Sequence, residues 1–257
     1  MPEIMRVRPG LWVVNADLED FQVRGIVING TLGSVVWDTL ARPQDMEGVA
    51  GLTKGLPLSV VYSHGDWDHV WGTRGIERPW SEVIAHRLCA HRFREELPRT
   101  LQEKQSESPG TYAGIRLVAP TLTFQDSLTL DLGGVTLEIR SLPGHTHDSA
   151  VGFVPEWGIF LAGDVVETPL PFLNPDSPIN RWKRGLEAWL HRLEGAEDPP
   201  VVIPSHGKIG GLELLRENIR YLADLLEGTV PTIPDDLTQF YRETHAQNLI
   251  LAREESA

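Results

Sequence analysis

Short apolar runs rich in β-branched residues occupy positions 10–14, 25–29 and 33–37. Each is set off by Gly or polar turn residues, and together they predict a strand meander at the start of the chain. Polar and apolar spacing then predicts a helix over 42–54, a buried strand over 57–62, a short strand at 83–85 and an amphipathic helix around 86–97. The polar stretch 103–110 ends in Pro109-Gly110 and reads as a loop. Leu117, 128–132 and 135–142 predict further strands, with Gly133-Gly134 as a hairpin turn. Strands at 150–154 and 158–161, a proline-rich loop at 169–178, a helix near 181–193, a strand at 201–203 and two closing helices after about 210 complete the pattern.

This order, a meander with helices followed by a second meander with helices, predicts an α/β fold. The expected form is a four-layer αβ/βα sandwich of two mixed β-sheets packed face to face and flanked by helices. No Gly- or Ser-rich linker interrupts the 257 residues, so a single domain over 1–257 is expected, with 169–178 as an ordered loop near a cleft.

Composition narrows the function classes. With 23 basic against 36 acidic side chains the formal charge is -13, and no Lys/Arg-rich run gathers positive charge, so nucleic acid is not an expected partner. Cys89 is the single cysteine, which excludes an intrachain disulfide and a cysteine-based zinc site and makes the reducing cytoplasm the expected location. The opening Met1-Pro2-Glu3-Ile4-Met5-Arg6 lacks the marks of a signal peptide, and no apolar stretch approaches about 18 residues, so neither secretion nor a membrane partner is expected. A small-molecule substrate is the remaining partner, and the oligomeric state stays open.

The densest chemistry lies in Ser63-His64-Gly65-Asp66-Trp67-Asp68-His69, directly after an apolar strand. A loop at a strand end is free of ladder geometry and Gly65 eases the turn, so these imidazoles and carboxylates can splay toward one centre. Three further apolar runs end in a possible ligand: Leu142-Pro143-Gly144-His145, Ile159-Phe160-Leu161-Ala162-Gly163-Asp164 and Val201-Val202-Ile203-Pro204-Ser205-His206. Strands lying side by side would open these loops on one sheet edge. His147 is a candidate proton donor and Lys208 a candidate partner for a substrate anion. Trp67 and Trp71 read as pocket wall or packing, His245 as structural, and Cys89 as a small buried apolar residue.

The combined pattern resembles the metallo-β-lactamase superfamily over roughly residues 10–207. The resemblance implies one or two divalent metal ions, with His64, Asp66 and His145 at the first position, Asp68, His69 and His206 at the second, and Asp164 bridging both. Asp38, in Val36-Trp37-Asp38-Thr39, resembles a family residue that braces the metal loop. One position departs from the family's His-x-His-x-Asp-His: Asp66 stands where a second histidine is usual, giving His-x-Asp-x-Asp-His. Two divalent ions, three carboxylates and a hydroxide then sum to zero charge, where a histidine would leave one positive charge. Zinc is the first expectation, and the extra hard oxygen donor moves preference toward iron or manganese.

The activity so implied is that of a metal-dependent hydrolase. A metal-bound hydroxide, oriented by the catalytic carboxylate Asp68, would attack a small ester, thioester, lactone or phosphoester. Two alternatives stay open: an iron-dependent, dioxygenase-like redox enzyme on the same fold, and a metal-binding protein without turnover.

Overall fold

In the computed structural model, which describes residues 2–53, 55–196 and 198–255, the strand meander starts earlier than the apolar runs. Strand β1 (Glu3–Arg8) mixes charged and apolar residues without strict alternation and is exposed on both faces along almost its whole length, so no core-facing pattern marks it. It forms the edge of a seven-stranded sheet followed in order by β2 (Leu11–Asp17), β3 (Gln22–Asn29), β4 (Ser34–Trp37), β5 (Leu58–Val61), β6 (Glu82–His86) and β7 (Leu122–Phe124). Strands β1 to β4 pair antiparallel and β4 to β7 pair parallel. Parallel neighbours send their C-terminal ends out of the same sheet edge. Because Trp37 lies opposite Val61, Asp38 and Ser63 leave that edge side by side.

Three elements of this half differ from the sequence reading. The helix expected over 42–54 is two short pieces, a 3-10 turn at Pro43–Met46 and α1 (Val49–Leu52), separated where Gly48 takes a φ of 85°. Lys54, at its expected end, lies outside the described residues. The loop expected over 103–110 is instead helical, belonging to α4 (Leu97–Glu107) and α5 (Pro109–Tyr112). Its polarity reflects a helix with most of its surface in solvent, and Leu, Gln, Glu and Lys are strong helix formers. Leu117 is in no strand; it packs, partly buried, against the apolar core around Tyr62 and Trp71. Two more helices complete this region: α2 (Trp67–Val70), inside the His/Asp motif, and α3 (Arg87–Glu95), capped by the His86 side chain accepting from the Leu88 N–H at 3.3 Å.

The second sheet has five strands, in the order β12-β11-β10-β9-β8: β8 (Ser127–Asp131), β9 (Thr136–Ser141), β10 (Ala150–Val154), β11 (Ile159–Gly163) and β12 (Val201–Pro204). Gly133 and Gly134, at φ 81° and 72°, make the expected β8–β9 turn, a conformation that disfavours any residue with a Cβ. Strand β12 runs parallel to β11 with Ile203 opposite Leu161, and β10 runs antiparallel to β11 with Gly152 opposite Leu161. The end of β11, the end of β12 and the entry to β10 therefore meet at one edge, which is where Asp164, His206 and His145 sit.

Helices α6 (Ile179–Glu194), α7 (Glu213–Leu226) and α8 (Gln239–Glu255) follow. Helix α6 buries Ile179, Trp182, Leu186, Trp189 and Leu193, one stripe at helical spacing. A Cβ on Gly144 would lie 2.7 Å from Trp182 Cδ1, so glycine is required for the turn into His145 to run beneath the indole. The indole Nε1–H in turn donates to the Val165 carbonyl at 2.9 Å, tying α6 to the residue after Asp164.

Two mixed sheets flanked by helices are the α/β architecture expected. Contacts divide the chain into two compact units, Met1–Ile139 and Arg140–Ala257, each with its own apolar core, one around Tyr62, Trp71 and Cys89 and the other around Phe160, Trp182 and Leu186. Among the described residues no helix is long and apolar enough to cross a membrane.

Candidate metal centre

In the first unit Asp38 organises the motif. It is fully buried and its φ of 58° is a left-handed conformation uncommon for a residue with a Cβ. The Ser63 backbone N–H donates to its Oδ1 at 2.7 Å, the Ser63 hydroxyl donates to its Oδ2 at 2.7 Å, and His69 Nδ1–H donates to the same Oδ2 at 3.0 Å. With its proton committed to Asp38, Ser63 Oγ accepts from His64 Nδ1–H at 3.0 Å. Both rings are thus held in the tautomer that leaves Nε2 with its lone pair, the arrangement of a histidine that ligates a metal through Nε2.

The turn at Asp66 starts helix α2, which carries Asp68 and His69 into the buried loop. His64 Nε2 lies 3.4 Å from Asp66 Oδ2, and His69 Nε2 lies 3.7 Å from Asp68 Oδ2. Ligand atoms about 2.0–2.2 Å from a tetrahedral ion stand roughly 3.3–3.6 Å apart, so these separations suit atoms sharing an ion better than atoms sharing a proton.

The second unit repeats the design. His145 Nδ1–H donates to the Phe172 carbonyl at 2.9 Å, which again leaves Nε2 as the lone-pair nitrogen. Asp164 Oδ2 lies 3.3 Å from His206 Nε2 and 3.8 Å from His145 Nε2, so one carboxylate oxygen faces two imidazoles. All three residues are buried. The fixed Nδ1 atoms of His64, His69 and His145, and Nε2 atoms of these residues and His206 turned to carboxylate oxygens at 3.3 to 3.8 Å, fit a divalent metal ion of borderline hardness.

The profile of the Metallo-beta-lactamase superfamily matches residues 18–230 of this sequence. The chain belongs to this superfamily. Among curated relatives, the type 2 metallo-beta-lactamase of Bacteroides fragilis is 28% identical over 118 residues, 44% of this chain and 46% of the relative. A linear primary-alkylsulfatase of a Pseudomonas strain is 27% identical over 113 residues, 42% of this chain and 21% of the relative. The matches span less than half the length of either relative. Among solved structures, a metallo-beta-lactamase from Pontibacter korlensis has a TM-score of 0.68 at 21% identity, covering 87% of this chain and all of that one. The FIM-1 metallo-beta-lactamase of Pseudomonas aeruginosa, in its mono-zinc form, has a TM-score of 0.66 at 19% identity, covering 87% and 95%. Superfamily membership supports metal-dependent hydrolysis as the general activity.

Within the superfamily pattern the departure at Asp66 has a partner that the sequence did not reveal. Arg92, on α3, donates from Nη2 to Asp66 Oδ1 at 2.5 Å and also holds Glu96 through Nε and Nη2 at 2.8 and 2.7 Å. The pair occupies one carboxylate oxygen and leaves Oδ2 toward His64. It also sets a guanidinium beside the extra negative charge, so the neutral sum drawn from the carboxylates alone omits a nearby cation. Replacing Asp66 by histidine is expected to keep the fold and to raise the zinc share of bound metal several-fold, because an oxygen donor gives way to a nitrogen donor. Competition among equimolar zinc, manganese and ferrous iron under anaerobic conditions measures this. An unchanged metal ratio would show that Asp66 does not set metal choice.

Behind Asp164, the sequence reading also passed over Glu167. It is buried, accepts from the Tyr241 hydroxyl at 2.9 Å, and has its carboxyl pushed up to about 7, chiefly by burial. Asp164 adds to that rise, while His206, His145 and the tyrosine bond oppose it. The two outlying candidates sit elsewhere in the second unit. His147 is half exposed, with Nε2 3.9 Å from Asp176 Oδ2. Lys208 is exposed, with Nζ 3.9 Å from Glu217 Oε2, and lines a cavity of about 610 Å³ together with Thr168, Arg220 and Tyr221. Trp71 is packing, fully buried, whereas Trp67 is partly exposed and carries the Lys104 ammonium 4.5 Å from its ring centroid.

Proposed function

We propose that the protein is a metal-dependent hydrolase of small esters, thioesters, lactones or phosphoesters. Its ligands to one or two divalent ions, zinc first, are His64, Asp66, Asp68, His69, His145, Asp164 and His206. The observation that carries this reading is the orientation of His64, His69 and His145, each with Nδ1 spent on a fixed acceptor and Nε2 turned to a carboxylate oxygen. A bound divalent ion supplies Lewis acidity and lowers the pKa of water toward 7. The chain's own groups do the rest. Asp38 holds His69 and, through Ser63, His64 in the ligating tautomer. Asp68, buried beside His69, accepts a hydrogen bond from the attacking water and orients it, and it needs no serine or cysteine nucleophile to do so.

The formal charge of -13 favours a small substrate over a polyanion, and a buried Cys89 suits the reducing cytoplasm. The names of the two curated relatives add β-lactams and sulfate esters to the chemistries worth testing.

The test joins elemental analysis of the purified protein to a panel of ester, thioester, lactone, phosphodiester, sulfate ester and β-lactam substrates. One to two equivalents of metal and hydrolysis of at least one class are expected, with chelation abolishing the rate by about 100-fold or more and metal restoring it. Stoichiometric iron with oxygen consumption and no hydrolysis would replace this reading with the redox one. A protein that takes up no metal would end both.

A further inference from the structure

The segment from Pro169 to Pro178 carries prolines at 169, 171, 175 and 178, and proline has no N–H to donate to a sheet ladder. The segment forms no strand or helix, yet Pro171 and Leu173 are buried, so their backbone groups need partners from side chains. One residue supplies them. Asn248, on α8 and 1% exposed, donates from Nδ2 to the Pro171 carbonyl at 2.7 Å and accepts at Oδ1 from the Leu173 N–H at 3.1 Å. Its amide therefore clamps the backbone on both sides of Phe172. The same Nδ2 also donates to the Tyr221 hydroxyl at 3.0 Å, which in turn donates a hydrogen bond to His245 Nδ1 at 2.9 Å. The clamp is thereby anchored to α7 and fixed in its amide orientation. The Phe240 ring on α8 stacks on the Phe172 ring at 6.3 Å between centroids, a second hold on the same residue.

What Phe172 does with this support is specific: its carbonyl is the acceptor for His145 Nδ1–H at 2.9 Å. Further along the segment, Asn174 Nδ2 and Ser177 Oγ donate to the His145 carbonyl at 3.1 and 2.7 Å, and the same Asn174 Nδ2 lies 3.4 Å from His145 Nε2, a longer contact on the ring's other nitrogen. The ring and the backbone of His145 are thus both held by a loop that has no regular structure of its own. We infer that Asn248, a residue of the C-terminal helix remote in sequence from every ligand candidate, is a positioning residue for His145, setting its ring orientation and tautomer through the Phe172 carbonyl. The inference rests on the reading of His145 as a metal ligand. Outer partners of ligating histidines change metal affinity by about 10–100-fold when removed, and Asn248 acts one link further out, so the lower end of that range applies.

The experiment compares Asn248→Ala, Asn248→Asp and Gln239→Ala with the wild type, using histidine-selective ¹⁵N NMR of the metal-free protein and zinc affinity by chelator competition. Asn248→Asp keeps an acceptor for Leu173 and loses the Nδ2 donor, and it serves if Asn248→Ala does not fold. Gln239→Ala removes an exposed α8 side chain that bonds Glu243 and leaves the clamp untouched. Asn248→Ala is expected to shift or broaden the His145 Nδ1–H signal and to weaken zinc binding about ten-fold. Asn248→Asp should move both readouts in the same direction and Gln239→Ala neither. A folded Asn248 variant with the wild-type His145 signal, or with wild-type zinc affinity, overturns the inference. His145→Ala separates the two layers: full zinc stoichiometry in that variant would sink the ligand reading and with it the metal role of the clamp, whereas the NMR signal reads the clamp without any metal.

Discussion

Replacing Asp38 by alanine is expected to lower stability by about 3–5 kcal/mol and to abolish tight metal binding. The carboxylate is fully buried and accepts from the Ser63 N–H, the Ser63 hydroxyl and His69 Nδ1–H. Alanine would leave these donors buried without their acceptor, each costing about 1–3 kcal/mol, and would keep a left-handed φ that Asp tolerates better than Ala. The effect on metal follows from the tautomer. Without Oδ2, His69 loses the partner that commits its proton to Nδ1, and Ser63 loses the bond that turns its oxygen to His64. Asp38→Asn is the sharper control, because the amide can still accept from Ser63 N–H but turns an N–H₂ toward the other donors. Urea unfolding of the metal-free protein reads the first effect and zinc titration the second. An unchanged unfolding midpoint together with full zinc affinity would remove Asp38 from the design.

Asp68→Ala is expected to lower hydrolysis on the order of 10³-fold, within the range for loss of a positioned base, while the protein keeps a substantial part of its metal. His145→Ala should instead lose metal in step with rate, since the role proposed for it is to hold an ion and not to orient water. The contrast rests on placement: Asp68 sits with its carboxylate 3.7 Å from His69 Nε2, while His145 is locked at Nδ1 by a backbone carbonyl and has only Nε2 to offer. Single-turnover rates with metal quantified in the same sample would measure it. Parallel loss of metal and rate in both variants would contradict the division of roles.

Much of the scaffold was legible because its strands are buried. Residues 150–154 read as a strand and are one, β10, since all five are buried and β-branched or apolar residues dominate. Strand β1 escaped notice because its side chains face solvent on both sides, and an edge strand is defined by pairing with β2, a contact that leaves no periodic trace. The helical character of 103–110 escaped for a related reason: its polarity is that of a solvent-facing helix, and Pro109-Gly110, read as a terminator, opens the next short helix.

The fold class and the stations of the candidate ligands are readable from consecutive residues. An apolar run ending in His or Asp is a local feature, written in consecutive residues by the need to bury a strand and free its end. Folding in three dimensions sets which nitrogen of His64, His69 and His145 carries the proton and what stands beside Asp38 and Asp66. Asp38 reaches Ser63 through the parallel register of β4 and β5, Arg92 reaches Asp66 from a helix 26 residues on, and Asn248 holds the loop behind His145 from the C-terminal helix. These partners are joined by directional hydrogen bonds between groups distant in the chain, and such bonds depend on distance and angle, quantities that exist only once the chain has folded.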